Sequence, residues 1–220
     1  LEVADLHPLG SSVLALDPRQ LTPACVAELQ ELAARRGFVR FRRLENITVA
    51  DLLRISQSFG GREVVSRHVA HAQSPDDGIL RLSNQAARGV VGVGPQWHSD
   101  GSTEARVFSH LLFHAQQMPA SGGETDFADL AAAYEALPPD LQERWSRLAS
   151  VNAYSGAVHP LVHRHPITGR KAQACSFSTW ARRGRWCPGR GMAQARSARL
   201  RPRLSPQWPP APRFLRAAQL

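Results

Sequence analysis

Gln96-Trp97-His98-Ser99-Asp100-Gly101 is the stretch on which the reading of this chain turns. Side chains two apart on an extended backbone share a face, so His98 and Asp100 would aim an imidazole nitrogen and a carboxylate oxygen at one point. A nitrogen and oxygen pair without a thiolate suits a borderline divalent ion, and a third, distant histidine would complete a facial triad of two histidines and a carboxylate. Alone, H-x-D is weak in a chain with nine histidines. Its neutral counterpart is a surface histidine beside an N-capping aspartate.

Outward from the motif, the chain reads as folded up to about residue 172. Thr22-Pro23 opens a helix with Val26, Leu29 and Leu32 on one face and Gly37 as its stop. Residues 38–41 alternate as a short strand does. Thr48-x-x-Asp51 starts a second helix that runs to Phe59 and Gly60-Gly61. Residues 79–82 read as a strand, 87–96 as a glycine-rich loop, and 107–114 as a buried apolar strand after the motif. Helices follow over 129–137 and from Pro138-Pro139-Asp140, with Leu141, Trp145 and Leu148 on one face. The order predicts an α+β protein built on a β-sandwich.

Two further stretches connect with the first. Trp97-His98-Ser99-Asp100 resembles the W-H-[ST]-D signature of the TauD/TfdA family, the taurine and 2,4-dichlorophenoxyacetate dioxygenases. Gly122-Gly123-Glu124-Thr125 is similar to that family's G-G-[DE]-T turn. His159-Pro160-Leu161-Val162 through His165-Pro166-Ile167-Thr168-Gly169-Arg170-Lys171-Ala172 is similar to its third signature. Leu9-Gly10 through Leu16-Asp17, residues 37–42 and Phe59-Gly60 also fit its opening, so the resemblance covers about residues 1–172. It implies a double-stranded β-helix, a cupin-like jelly roll with flanking helices. His98 and Asp100 would be ligands of Fe(II), and Thr125 would hydrogen-bond 2-oxoglutarate. The implied reaction consumes O2, decarboxylates 2-oxoglutarate to succinate and hydroxylates a small organic acid.

The same family places a third iron-binding histidine and a 2-oxoglutarate-binding arginine near the C-terminus, and neither is identifiable here, since no histidine follows His165. The closest substitutes are weak. His159, His163 and His165 lie in the third signature, which the family does not use for iron. His110 and His114 read as packed or surface histidines. His68 and His71 precede the motif loop and read as solvent-facing before they read as substrate contacts.

Net charge is +9, but residues 172–220 carry ten arginines and no acid, whereas 1–171 sum to −1. That tail has six prolines, three tryptophans and a lone β-branched residue, Thr179. Such a composition cannot bury enough apolar surface to fold alone, so 173–220 is expected to form a disordered tail without strands. It reads as frameshifted or alternatively spliced sequence, with a divergent genuine C-terminus as the second reading. A chain so truncated is expected to be aggregation-prone, to bind iron weakly and to turn over little. Nucleic-acid binding through the arginines and tryptophans ranks last, because a disordered basic tail is usually just solvated. Cys25, Cys175 and Cys187 form no CxxC pair, and no run approaches a membrane span of roughly 20 residues. Both observations, with no signal-peptide pattern, lead us to expect a cytoplasmic protein; substrate identity and oligomeric state are not encoded legibly.

Overall fold

The computed structural model describes residues 1–42, 44–60, 71–93, 97–152 and 155–173, with the backbone of 178–182 and 215–217. Near the N-terminus, β1 (Val3–Asp5) pairs antiparallel with β2 (Ser11–Val13), and β2 pairs parallel with β3 (Val39–Phe41). The crossover between β2 and β3 contains α1 (Pro23–Arg36), as a parallel connection requires. Thr22 caps α1 by accepting the Cys25 N–H at 3.2 Å. Gly37, at φ +87°, ends it with its N–H on Ala33 O. Thr22→Ala should therefore cost about 1 kcal/mol in urea unfolding; a change under a few tenths would deny the cap this role.

The second helix, α2 (Val49–Gly60), begins with the reciprocal bonds its sequence foretells: Thr48 N–H to Asp51 Oδ2 at 3.0 Å and Asp51 N–H to Thr48 Oγ1 at 3.1 Å. Buried Val13, Val26, Leu29 and Ile55 bring the first sheet, α1 and α2 into one apolar cluster.

Among the described residues, the C-terminal half forms three further sheets. The strand β4 (Thr125–Phe127) is followed by α3 (Leu130–Glu135) and α4 (Pro139–Ser146). Then β5 (Leu148–Asn152) pairs with β6 (Val158–Pro160), and β7 (Val162–Arg164) forms a hairpin with β8 (Lys171–Gln173). Ala131, Tyr134 and Leu161 are the buried apolar residues here. Phe127 stacks on Phe38 with ring centroids 4.6 Å apart, joining β4 to the first sheet.

Four sequence expectations are corrected. Residues 107–114 form no strand, and Val107, Leu111 and Phe113 are all more than half exposed. Residues 79–82 contribute only a bridge, Leu82 to Val90. An apolar run specifies a strand when a neighbouring strand accepts its hydrogen bonds and covers it, and among the described residues none does so. The helical face extrapolated through Leu148 stops at Ser146, because Leu148 already pairs within β5. The tail is not strand-free. Its segment β9 (Ser178–Arg182) pairs antiparallel with β5, Thr179 standing opposite Val151, and β10 (Leu215–Ala217) pairs with β4. Backbone ladders need no β-branched side chains when a partner strand offers an edge. The rest of the tail lies outside the described residues, as do His68, Gln96, Cys175 and Cys187.

What the described residues show, then, is an α+β arrangement of small sheets and helices. None of their helices is long and apolar enough to cross a membrane.

Candidate metal centre

Trp97, His98 and Ser99 occupy irregular backbone that enters a turn at Asp100. The Ser102 N–H reaches Ser99 O at 3.3 Å, and Glu104 N–H reaches Gly101 O at 3.0 Å. Gly101 adopts φ +77°, and a Cβ there would sit 3.2 Å from the Phe108 ring. A residue with a side chain would meet both penalties, so glycine is what lets the chain fold back beneath the motif.

This turn brings the two predicted ligands together although no strand carries them. His98 Nε2 lies 3.3 Å from Asp100 Oδ1, with the side chains 36% and 43% exposed. Two donors bound at right angles to a metal, each at about 2.1 Å, stand ~3.0 Å apart. The observed separation is a few tenths of an ångström longer than that. Its chemistry, one neutral nitrogen and one anionic oxygen, also fits a divalent ion of intermediate softness.

The third ligand is another matter. Among the described residues, no group of three or more His, Cys, Asp or Glu side chains could hold a metal. Three other histidines do local work. His165 Nδ1 accepts the Ile167 and Thr168 N–H groups at 3.2 and 3.3 Å, closing the turn between β7 and β8. His71 Nδ1 accepts from Gln73 N–H, leaving Nε2 to donate to Ala86 O at 2.9 Å. His110 packs on Phe59 with centroids 5.4 Å apart. Partial burial, then neighbouring His165, hold His110 below the usual histidine range. Partial burial, then His165 and His159, do the same to His163. His114 Nδ1 and His159 Nε2 are buried without a hydrogen-bond partner.

Thr125 stands apart from the pair in sequence and element. It opens β4 one residue after Gly122 and Gly123, both left-handed at φ +79° and +78°. The G-G pair thus turns the chain sharply into the strand that presents Thr125.

Sequence reasoning passed over Arg170, the last charged position but one of the third signature. Its guanidinium forks onto Glu135, Nε to Oε1 at 2.8 Å and Nη2 to Oε2 at 2.7 Å, and its Nη1 reaches Asp129 Oδ2 at 3.2 Å. Asp129 also caps α3 through Ala131 and Ala132 N–H. One arginine therefore ties both ends of α3 to β8. The hydrogen bond from Arg170 holds the Glu135 carboxyl below its ordinary value of 4.5. A carboxyl so lowered contributes stability above its unfolded value, and loses it as pH falls through the lowered one. Arg170→Met should lower the thermal midpoint near pH 7, and the gap from the parent should close in acid; a pH-independent gap would contradict the fork. No local sequence signal points to this pair, whose partners lie 35 positions apart.

Against this geometry the comparisons are decisive. The family model described as "Taurine catabolism dioxygenase TauD, TfdA family" matches residues 2–201. The chain belongs to the TauD/TfdA family.

The match passes the boundary at 172 that the signatures suggested and takes in β9. An alpha-ketoglutarate-dependent 2,4-dichlorophenoxyacetate dioxygenase of Cupriavidus pinatubonensis is 34% identical over 201 residues, covering 76% of this chain and 70% of its own. The (S)-phenoxypropionate/alpha-ketoglutarate-dioxygenase of Sphingobium herbicidovorans is 28% identical over 156 residues, covering 58% of this chain and 54% of its own. The chain thus spans between about half and 70% of these relatives' length. Among solved structures, AAD-2 in complex with Mn(II) and N-oxalylglycine aligns with TM-score 0.59 at 20% identity, covering 80% of this chain and 72% of that one. A taurine dioxygenase from Burkholderia xenovorans aligns with TM-score 0.56 at 23% identity, covering 78% and 61%. At that identity the likeness speaks for the TauD/TfdA fold alone. Oxidoreductase, dioxygenase and 2-oxoglutarate dependence are the attributes the family carries.

Proposed function

We propose that this chain carries the iron- and 2-oxoglutarate-binding part of a dioxygenase that hydroxylates a small organic acid. The observation that carries the reading is the 3.3 Å approach of His98 Nε2 to Asp100 Oδ1 within the family's first signature. His98 would contribute a neutral nitrogen and Asp100 a negative charge to Fe(II), and Thr125 would donate its hydroxyl to a carboxylate of 2-oxoglutarate. Bound there, iron would supply the activation of O2, which side chains cannot do themselves. Decarboxylation of 2-oxoglutarate to succinate and CO2 accompanies hydroxylation in this reading. Relatives named for phenoxyacetates and phenoxypropionates support an acidic substrate.

The likeness to solved members supports a double-stranded β-helix as the complete fold. We place the end of the compact domain near residue 172, where the third signature ends and the arginine-rich tail begins, with β9 as an added strand on β5. A cytoplasmic location remains part of the proposal and rests on the sequence pattern.

A second reading, a nearly silent member, has its own support. The pair at His98 and Asp100 is open to solvent, and apolar side chains at Val107, Leu111 and Phe113 lie uncovered beyond it. Two protein ligands and an open flank give weak binding and slow turnover. Incubating the chain with Fe(II), 2-oxoglutarate and a phenoxyacetate or sulfonate panel should yield succinate at below roughly 0.1 s⁻¹, against about 10 s⁻¹ for a median enzyme. No iron-dependent succinate at all would refute the dioxygenase reading, and turnover near the median would refute the two-ligand one.

A further inference from the structure

The first sheet holds a polar pair that the metal centre does not use. Ser12 and Arg40 are register partners in the parallel pairing of β2 with β3. Their side chains therefore leave the same face, from strands about 4.8 Å apart. Phe38, two residues before Arg40, shares that face, and Phe127 of β4 stacks on it. The face is covered on that side by protein.

Two atoms of this pair are left unmatched. Ser12 is 3% exposed, yet its hydroxyl has no hydrogen-bond partner, and Arg40 Nε is likewise buried without an acceptor. The contrast with Arg36 is instructive. Arg36 Nε is also buried without a hydrogen bond, but Asp5 Oδ1 lies 3.4 Å from it as an ion-pair partner and Arg36 Nη2 donates to Leu6 O and Gly10 O. Among the described residues, Arg40 has no such carboxylate. Burial and the like charge of Arg42 hold its pKa below the usual arginine value, a sign that its charge is uncompensated. Buried hydroxyls and guanidinium groups are expensive to leave unpaired. A water molecule could match the hydroxyl but would not neutralise a cation facing Arg42. An oxyanion does both.

We infer that Ser12 and Arg40 form a binding site for a small oxyanion, a carboxylate or a phosphate group, which accepts hydrogen bonds from the Ser12 hydroxyl and the Arg40 Nε–H. Charge-assisted bonds of this kind are the strong ones, and arginine is the side chain suited to such planar or tetrahedral acceptors. The site lies on β2 and β3, and it needs no metal at His98.

Thermal unfolding and titration calorimetry of the full chain, at constant ionic strength, test it with inorganic phosphate and propionate as probes and chloride as reference. The parent should gain thermal stability from at least one probe. Arg40→Gln should weaken that probe's apparent affinity about tenfold or more, and Ser12→Ala by less. In chloride both variants should be no less stable than the parent, since each removes an unmatched polar group. A stronger response to phosphate assigns the site to phosphate groups, and a stronger response to propionate assigns it to carboxylates. If neither probe shifts the parent, or Arg40→Gln responds as the parent does, the inference is wrong. The second outcome would expose a general salting effect.

Discussion

Asp100→Ala should abolish iron-dependent succinate formation and leave the fold standing. Asp100 is 43% exposed and forms the negative half of the pair with His98. Its loss from an exposed turn should change stability by no more than ~0.5 kcal/mol. Removing a direct ligand should exceed the ten- to hundredfold loss typical of outer-shell changes, so iron affinity should fall by about 100-fold or more. Asp100→Asn keeps an oxygen while discarding the charge, and should bind iron between the two. Succinate release with far-UV circular dichroism on the same samples separates chemistry from folding. Residual succinate at the parent's rate in Asp100→Ala would remove Asp100 from the site.

Gly10→Val should be the most damaging single substitution in the first sheet. Gly10 sits at φ +88°, and a Cβ built there falls 2.3 Å from the tip of the Phe38 ring. Left-handed strain costs roughly 1–3 kcal/mol for a residue with a side chain, and overpacking another 1–3. A loss of about 4 kcal/mol is expected, a large share of the 5–15 kcal/mol that holds an ordinary domain together. Phe38 also stacks on Phe127, so its displacement would loosen β4 as well. Urea unfolding measures the loss, and Phe38→Ala in the same background should return part of it, since the two sites share a contact. A loss under 1 kcal/mol would mean that the sheet yields at this corner.

The difference between these two predictions marks what could be read from the sequence. Local signals were legible because their physics is local. Thr22 and Gly37 bound α1, Thr48 and Asp51 bracket the start of α2, and Asp129 caps α3, each through partners within four residues. The convergence of His98 and Asp100 was also legible, since it needs only two residues. The Phe38–Gly10 contact, the Arg170 fork onto Glu135 and the orphaned Ser12–Arg40 pair were not. They join residues 28 to 35 positions apart, and no periodicity encodes which distant partner a strand will meet. Residues 107–114 failed in the opposite way: their apolar run was right for a strand, but pairing is a property of the neighbour as well. In the tail, β9 forms on β5 despite a composition that argues against strands, for the same reason.

The central claim is that a divalent ion binds between His98 and Asp100. Equilibrium titration of the chain with Mn(II), followed by electron paramagnetic resonance and repeated on His98→Ala and Asp100→Ala, tests it most directly. A single weak site is expected in the parent, lost in both variants. Binding that survives in both variants, or a parent that takes up no Mn(II), would contradict it.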